Sequence, residues 1–151
     1  MVVERVTTPR GEFVLRRCGA HFELISNGVF LMDTRGGRSE QVLVRAGVEA
    51  CPHPSRLLIG GLGVGFTLVA ALDDSRVRAV TVVEVEPSLV RWHETYLAKF
   101  TGGGALVDPR VVVVVDDLPA YLRRTTKVFD VIDIDIDNGP DWTVTAGNAW
   151  L

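Results

Sequence analysis

The sequence predicts an α/β fold in which a small N-terminal β-hairpin unit precedes a doubly wound, mostly parallel sheet. From Arg56 onward, short runs of Val, Leu and Ile alternate with helical patterns, as strands buried on both faces of a parallel sheet require. Before that point, Asn27-Gly28 separates two apolar runs, which is a strong hairpin signal. We expect residues 1–50 to form the β unit with a connecting segment, and residues 51–151 to form the α/β domain.

The N-terminal elements are defined by turn residues and by short apolar runs. Gly19 and Asn27-Gly28 divide this region into strands, and Gly36-Gly37 ends it. The spacing of apolar residues from Val42 to Val48 fits a helix as well as a strand, and we interpret it as a helix. The apolar runs expected in strands are Phe13–Leu15, Phe22–Ile25 and Val29–Met32.

The second region reads as a regular alternation of strands and helices. Pro87 is a favoured first helical residue, and apolar residues recur after it at three- and four-residue steps as far as Phe100. A glycine-rich turn separates the first strand from the first helix. The predicted strands are residues 57–59, 80–85, 111–115 and 129–134, and the predicted helices are residues 66–72, 87–100 and 119–124.

Composition and charge exclude several classes of protein. With Lys+Arg 16 against Asp+Glu 19, a net charge of -3 and no basic run, the chain lacks the footprint of a nucleic-acid binder. Its apolar stretches are far shorter than the roughly 20 residues of a membrane helix, and the N-terminus does not resemble a signal peptide. Cys18 and Cys51 form no C-x-x-C motif, and His21, His53 and His93 are scattered. We expect a soluble, cytoplasmic protein whose cysteines and histidines bind no metal.

Glycines follow the first parallel strand, at the edge of the sheet where ligands bind in open α/β folds. Gly61, Gly63 and Gly65 would let the chain turn tightly and bring backbone N–H groups close to a ligand. The dinucleotide fingerprint G-x-G-x-x-G fails, because Phe66 stands in place of its third glycine. A ligand-binding loop and a purely structural turn both explain these glycines.

Acidic residues follow the next two strands. Glu84 lies nineteen positions beyond Gly65, a spacing at which a carboxylate accepts hydrogen bonds from both hydroxyls of a ribose, and Glu86 is the neighbouring alternative. Asp116 and Asp117 follow the third strand, where an acid accepts the exocyclic amine of adenine or simply caps the next helix. The glycine loop, the ribose acid and the adenine acid together favour an adenosyl ligand.

After the fourth strand, aspartates alternate along the chain. Asp133, Asp135 and Asp137 project to one face while the chain is extended, and their mutual repulsion calls for a cation. An EF-hand calcium loop is excluded, because Asn138 occupies its glycine position and Val144 its terminal glutamate position. A divalent metal at a site of another kind and an amine substrate both remain open.

These motifs resemble the spermidine/spermine synthase family of polyamine aminopropyltransferases. The resemblance covers roughly residues 22 to 142 and implies a Rossmann-like fold of the type of S-adenosylmethionine-dependent methyltransferases, behind a small N-terminal β domain. The resemblance rests on the order and spacing of four motifs. The matching segments are Leu57–Gly65, Val82–Glu86, Asp108–Val111 with Asp117, and Phe129–Ile132 with Asp135.

The resemblance also implies roles for individual residues. Glu84 would hold the ribose of decarboxylated S-adenosylmethionine, and Asp117 would contact adenine. Asp135 would be the catalytic aspartate that takes a proton from an attacking di- or polyamine. The family has a second aspartate where this chain has Asn138, and with Asp137 this residue is the candidate for binding the amine. The adenosyl compound would be a co-substrate, and no tightly bound cofactor is expected.

Two other functions compete with aminopropyl transfer. The family's glycine loop carries an aspartate that helps select the aminopropyl donor, where this chain has Gly63, so a methyltransferase using ordinary S-adenosylmethionine is one alternative. A non-catalytic binding module is the other, because 151 residues suffice for only the first half of such a sheet and the chain looks cut short at its C-terminus. An exposed sheet edge would favour a homo-oligomer, with a homodimer as the simplest case.

Overall fold

The computed structural model describes residues 1–100 and 103–136, which form two compact units. The first unit is Met1–Gly36 and the second is Gly37–Ile136. The predicted amine-binding residues Asp137 and Asn138 lie outside the described residues. Among the described residues, no helix has the length and apolar character needed to cross a membrane.

The first unit is a four-stranded antiparallel sheet in the order β1-β2-β3-β4. The predicted hairpin at Asn27-Gly28 is confirmed: both residues have positive φ, 50° and 80°, as a two-residue turn between twisted antiparallel strands requires. The first strand was not predicted from the sequence, because charged residues interrupt its alternation of apolar and polar positions. The strands are β1 (Val2–Thr8), β2 (Gly11–Cys18), β3 (His21–Ser26) and β4 (Val29–Asp33).

The second unit contains a four-stranded sheet in the order β7-β6-β5-β8, and every strand pair in it is parallel. The predicted α/β class and the alternation of strands and helices are therefore confirmed. The elements are α1 (Arg38–Ala50), β5 (Arg56–Gly60), α2 (Phe66–Leu72), β6 (Ala79–Glu84), α3 (Pro87–Thr95), β7 (Val111–Val115), α4 (Leu118–Arg124) and β8 (Val131–Ile134).

The core of the second unit lies on both faces of β5 and β6. On one face, Leu58 and Val83 pack against Leu118 and Tyr121 of α4. On the other face α1 approaches β8 closely, since a Cβ added at Gly47 would lie 3.2 Å from a methyl group of Val131. Each fully buried Leu or Val contributes about 1.5–3 kcal/mol relative to an exposed one, so this two-sided burial holds β5 in the centre of the sheet.

Two helices differ in length from the sequence-based prediction. The helix expected over Val42–Val48 is confirmed and extends over the whole of α1. The helix expected to reach Phe100 ends at Thr95, because the N–H groups of Tyr96 and Leu97 both donate to the carbonyl of Trp92, at 2.8 and 2.9 Å. Because both N–H groups use the same carbonyl, the regular hydrogen-bond pattern of the α-helix ends here. α1 lies within the second unit, and a domain boundary after residue 50 stays a prediction.

Candidate active site

The carboxyl ends of the four parallel strands bring the acidic residues and the glycine loop to one edge of the sheet. The chain moves from β5 to β6 to β7 in one direction, and β8 pairs on the opposite side of β5. The strand order therefore reverses at β5, and in open α/β sheets this reversal marks the crevice in which ligands bind. The loop after β5 and the end of β8 flank this position.

The glycine loop after β5 requires glycine for two separate reasons. Gly61, Gly63 and Gly65 have φ of 95°, 51° and 88°, a region that side-chain-bearing residues rarely adopt. At Gly61 there is also no room, since an added Cβ would lie 2.2 Å from the backbone oxygen of Asp135. The loop thus runs directly against the end of β8, and the structure brings two sequence-predicted site elements into contact.

Glu84 ends β6 and is buried, with 6% of its surface exposed. One carboxylate oxygen accepts the N–H of Leu62 at 2.8 Å, and the other accepts the N–H of Glu86 at 2.7 Å. Burial raises the pKa of Glu84, while these two backbone hydrogen bonds act in the opposite direction. Glu84 is therefore anchored beside the glycine loop by backbone N–H groups that hydrogen-bond to both of its carboxylate oxygens.

Asp116 and Asp117 follow β7. The Asp116 N–H donates to the carbonyl of Glu84 at 3.0 Å, which places these acids beside the candidate ribose acid. Asp116 also forms an ion pair with Arg124. Asp117 is the N-cap of α4 and accepts the N–H of Ala120 at 3.0 Å, so the structure gives it the capping role that was one of its two interpretations. Contact with adenine stays a prediction for both residues.

Asp135 follows β8 and is held from two sides. Its backbone N–H donates to the carbonyl of Gly60 at 2.8 Å. Its carboxylate Oδ2 accepts a hydrogen bond from the hydroxyl of Thr67, a buried residue in the first turn of α2, at 3.0 Å. Thr67 was not predicted as a site residue, although a hydroxyl residue within the apolar run from Phe66 to Leu72 was a usable signal. This hydrogen bond fixes the orientation of the Asp135 side chain.

Asp133 lies two residues earlier on β8 and is buried, with 6% of its surface exposed. Burial and then the charge of Asp135 raise the pKa of Asp133 from 3.8 to about 6. No group of three or more His, Cys, Asp or Glu side chains within residues 1–100 and 103–136 could hold a metal ion. Asp137, the third aspartate in the predicted series, lies outside the described residues.

His93 is a second residue near the glycine loop that was not predicted from the sequence. The three histidines are far apart in the sequence, and no site role was predicted for His93. Its ring nevertheless lies in the core, and its Nε2 is 2.9 Å from the carbonyl oxygen of Gly63. Its position four residues after the buried Leu89 placed it on the inner face of α3, and this spacing was the available signal.

The sequence of this chain matches a known protein family. A family model described as the spermine/spermidine synthase domain matches residues 38–145, well over half of the chain. The chain belongs to the spermine/spermidine synthase family. The resemblance inferred from the four motifs is confirmed, and the matched range includes every described strand of the parallel sheet.

Curated relatives are named polyamine aminopropyltransferases and are much longer than this chain. The chain is 35% identical over 104 residues to polyamine aminopropyltransferase 2 of Pseudomonas aeruginosa, covering 66% of this chain and 30% of that protein. It is 33% identical over 113 residues to polyamine aminopropyltransferase of Thermococcus onnurineus, covering 74% of this chain and 39% of that protein. The chain therefore spans roughly a third of the length of these relatives.

Solved structures support the fold. A spermidine synthase crystallised in complex with the transition-state analogue AdoDATO matches with a TM-score of 0.79 at 22% identity, over 91% of this chain and 47% of that one. Spermidine synthase from Thermotoga maritima matches with a TM-score of 0.77 at 22% identity, over 88% of this chain and 47% of that one. At this identity the likeness establishes the Rossmann-like, methyltransferase-type fold that the resemblance implied.

Proposed function

We propose that this chain carries the donor site and the catalytic aspartate of an aminopropyltransferase. The reaction would transfer an aminopropyl group from decarboxylated S-adenosylmethionine to a di- or polyamine. The observation that carries this proposal is the convergence of the glycine loop and Asp135: Gly61 abuts the backbone of Asp135, and Thr67, just after the loop, donates to its carboxylate. Membership of the spermine/spermidine synthase family and the names of the relatives support it.

The donor would lie along the edge formed by the loop, β6 and β7. Gly61, Gly63 and Gly65 leave space for close approach of the backbone to the donor, and the anchored carboxylate of Glu84 would accept the ribose hydroxyls. Asp116 or Asp117 would accept the adenine amine. The adenosyl compound acts as a co-substrate that leaves after each turnover, and the proposal includes no tightly bound cofactor and no metal.

The chemical step is a displacement at carbon. The amine nitrogen forms a bond to the methylene next to the sulfonium, the carbon–sulfur bond breaks, and the sulfur leaves as the neutral thioether methylthioadenosine. Amines have pKa values near 10, so a carboxylate that orients the amine and takes its proton contributes about 10²–10⁴-fold to the rate. Asp135, whose carboxylate is oriented by Thr67, would be that group. Asp137 and Asn138 are proposed to bind the distal part of the amine.

A methyltransferase that uses ordinary S-adenosylmethionine is the second candidate. Gly63 favours it, because a loop without a carboxylate at this position does not repel the carboxylate of the undecarboxylated donor. A binding module that holds an adenosyl compound without catalysing transfer is the third.

Calorimetric titration of this chain with each donor tests the proposal. We expect decarboxylated S-adenosylmethionine to bind at least tenfold more tightly than ordinary S-adenosylmethionine, and methylthioadenosine to compete with it. Preference for the ordinary donor would contradict the proposal in favour of the methyltransferase. If a folded chain binds neither donor, both enzymatic candidates are excluded.

We also propose a homo-oligomeric, cytoplasmic protein. Within the described residues, β8 pairs with a strand on one side only, and Ile132 and Ile134 on it are about half exposed, so its edge and face are suited to contact with a second copy. Cys18 and Cys51 are free thiols, which suits a reducing compartment. Light scattering on the purified chain measures the oligomeric state, and a strictly monomeric chain at micromolar concentration would contradict this part of the proposal.

A further inference from the structure

His93 lies in the last turn of α3, and its side chain reaches the backbone of the glycine loop. Its ring is buried, and its Nε2 lies 2.9 Å from the carbonyl oxygen of Gly63. We infer that His93 is a positioning residue: it holds the loop by the Gly63 carbonyl in the conformation that accepts the donor. This inference rests on the proposed function only for the identity of the ligand that the loop binds.

The contact determines the tautomer of the ring. A carbonyl oxygen only accepts hydrogen bonds, so the proton must be on Nε2, which donates to Gly63. Nδ1 is buried, and no hydrogen-bond partner for it occurs among the residues that the structure describes. A doubly protonated ring would bury both a charge and an unpaired N–H, and burial accordingly lowers the pKa of His93. The ring is therefore a neutral, fixed hydrogen-bond donor.

The same contact orients the next peptide group. In a trans peptide the carbonyl and the following N–H point in opposite directions, so fixing the Gly63 carbonyl on His93 directs the Val64 N–H away from α3. No described residue accepts a hydrogen bond from this N–H. Gly63 has a φ of 51° and no side chain to hold it, so it depends on outside contacts for its conformation.

Two other contacts hold the loop on either side of Gly63. The Leu62 N–H donates to Glu84 at 2.8 Å, and the Gly65 N–H donates to the carbonyl of Leu62 at 2.9 Å. Glu84 thus fixes the start of the loop, and the turn fixes its end. His93 is the described side chain that holds the peptide between them, and its loss would free that peptide without removing the ribose acid.

Two substitutions separate positioning from packing. His93→Phe keeps an aromatic ring but removes the donor to Gly63, and we expect it to weaken binding of decarboxylated S-adenosylmethionine about tenfold. His93→Gln places an amide N–H near the position of Nε2, and we expect affinity within about threefold of the unmodified chain. Thr95→Val is the matched control: it removes the exposed hydrogen bond to the Arg91 carbonyl on the same helix, at 3.1 Å, and should leave donor affinity unchanged.

NMR of the ligand-free chain tests the inference independently of any donor. With ¹⁵N-labelled histidine at neutral pH, we expect the His93 ring to give the pattern of the Nε2–H tautomer, and His93→Phe to accelerate hydrogen exchange at the Leu62 and Gly65 amides. An Nδ1–H or doubly protonated ring, or equal donor affinity in the Phe and Gln variants, overturns the inference. If the tautomer and the exchange effect are found but neither donor binds, loop positioning is supported and the proposed function fails.

Discussion

Thr67 and Asp135 are joined by a hydrogen bond of 3.0 Å from the hydroxyl Oγ1 to the carboxylate Oδ2. Thr67 is the second residue of α2, just after the glycine loop, whereas Asp135 follows β8 and lies 68 positions later in the chain. The bond therefore links the element proposed to bind the donor to the group proposed to take the proton from the amine. It gives the carboxylate one fixed orientation at the crevice beside β5.

Removing the hydroxyl of Thr67 should affect chemistry more than donor binding. Thr67→Val preserves the shape of a buried side chain but leaves Asp135 Oδ2 without this donor, and we expect kcat to fall about 3–10-fold. Thr67→Ser keeps a hydroxyl and should retain most of the activity. Steady-state kinetics with calorimetric donor binding provide the measurement, and a loss confined to donor affinity would contradict this role.

Adding a methyl group at Gly61 should disrupt the contact between the loop and β8. In Gly61→Ala the new Cβ meets the Asp135 backbone oxygen at 2.2 Å and also imposes strain at a φ of 95°. Gly103→Ala is the matched control, because Gly103 has a φ of 73° but no atom within 4 Å of an added Cβ. The control should lose only about 1–2 kcal/mol, the cost of a left-handed conformation, and Gly61→Ala should lose more.

Urea unfolding of both glycine variants measures this difference. Equal losses would mean that backbone strain alone accounts for the effect and that the approach of the loop to β8 is not tight. A larger loss at Gly61, together with a weaker affinity for the donor, is the expected pattern.

Asp133 should make stability depend on pH. Its pKa is raised from 3.8 to about 6, chiefly by burial, so between these values the folded chain holds a proton that the unfolded chain has released. Proton binding by folded Asp133 therefore contributes fully to the free energy of unfolding below about pH 4, and this contribution is lost as the pH rises to about 6. Asp133→Asn removes the cost of burying the charge, and we expect it to stabilise the chain by about 1–3 kcal/mol at pH 7.5 and by much less at pH 4.

The control for this experiment is Asp73→Asn. The Asp73 side chain is 63% exposed and forms a surface ion pair with Arg45, so its replacement should change stability by less than about 1 kcal/mol at either pH. Urea unfolding at the two pH values gives the comparison. If Asp133→Asn stabilises the chain by no more at pH 7.5 than at pH 4, Asp133 is not buried as a charged group.

Glu84→Gln should weaken donor binding and also reduce stability. In glutamine, one of the two carboxylate oxygens that accept the backbone N–H groups of Leu62 and Glu86 is replaced by an NH2 group. One backbone N–H then faces this NH2 group, which is itself a donor, and loses its hydrogen bond. We expect a loss of about 1–3 kcal/mol in unfolding free energy, and donor affinity lowered at least tenfold. Binding is therefore measured on chain shown by circular dichroism to be folded, and unchanged affinity there would exclude Glu84 as the ribose acid.

The parallel sheet could be predicted from sequence because its signals are local. The Val run from Val111 to Val115 and the glycines after β5 each specify their element without reference to the rest of the chain. Strand β1 was missed, because its charged residues interrupt the alternation of apolar and polar positions that would indicate a buried face. The end of α3 was misplaced, since capping by the Trp92 carbonyl depends on backbone geometry that leaves no mark in the apolar spacing.

The residues of the candidate site that could be predicted are those with a local sequence signal. Glu84 and Asp135 follow strands directly, so their common location at the sheet edge was visible in the sequence. Thr67 and His93 act through contacts with residues 68 and 30 positions away, and such contacts exist only once the sheet is assembled. The capping role of Asp117 was among its predicted interpretations, and the structure gives it that hydrogen bond.

Aminopropyl transfer is the activity that the proposed donor site and Asp135 should produce together. The measurement is mass-spectrometric detection of methylthioadenosine and the aminopropylated amine from decarboxylated S-adenosylmethionine and putrescine, with the unmodified chain and with Asp135→Asn. We predict that both products form in equal amounts with the unmodified chain and that Asp135→Asn lowers the rate at least 100-fold while donor affinity is retained. If the unmodified, donor-binding chain transfers nothing to any diamine, aminopropyl transfer is contradicted. Full activity in Asp135→Asn would contradict the catalytic role of Asp135.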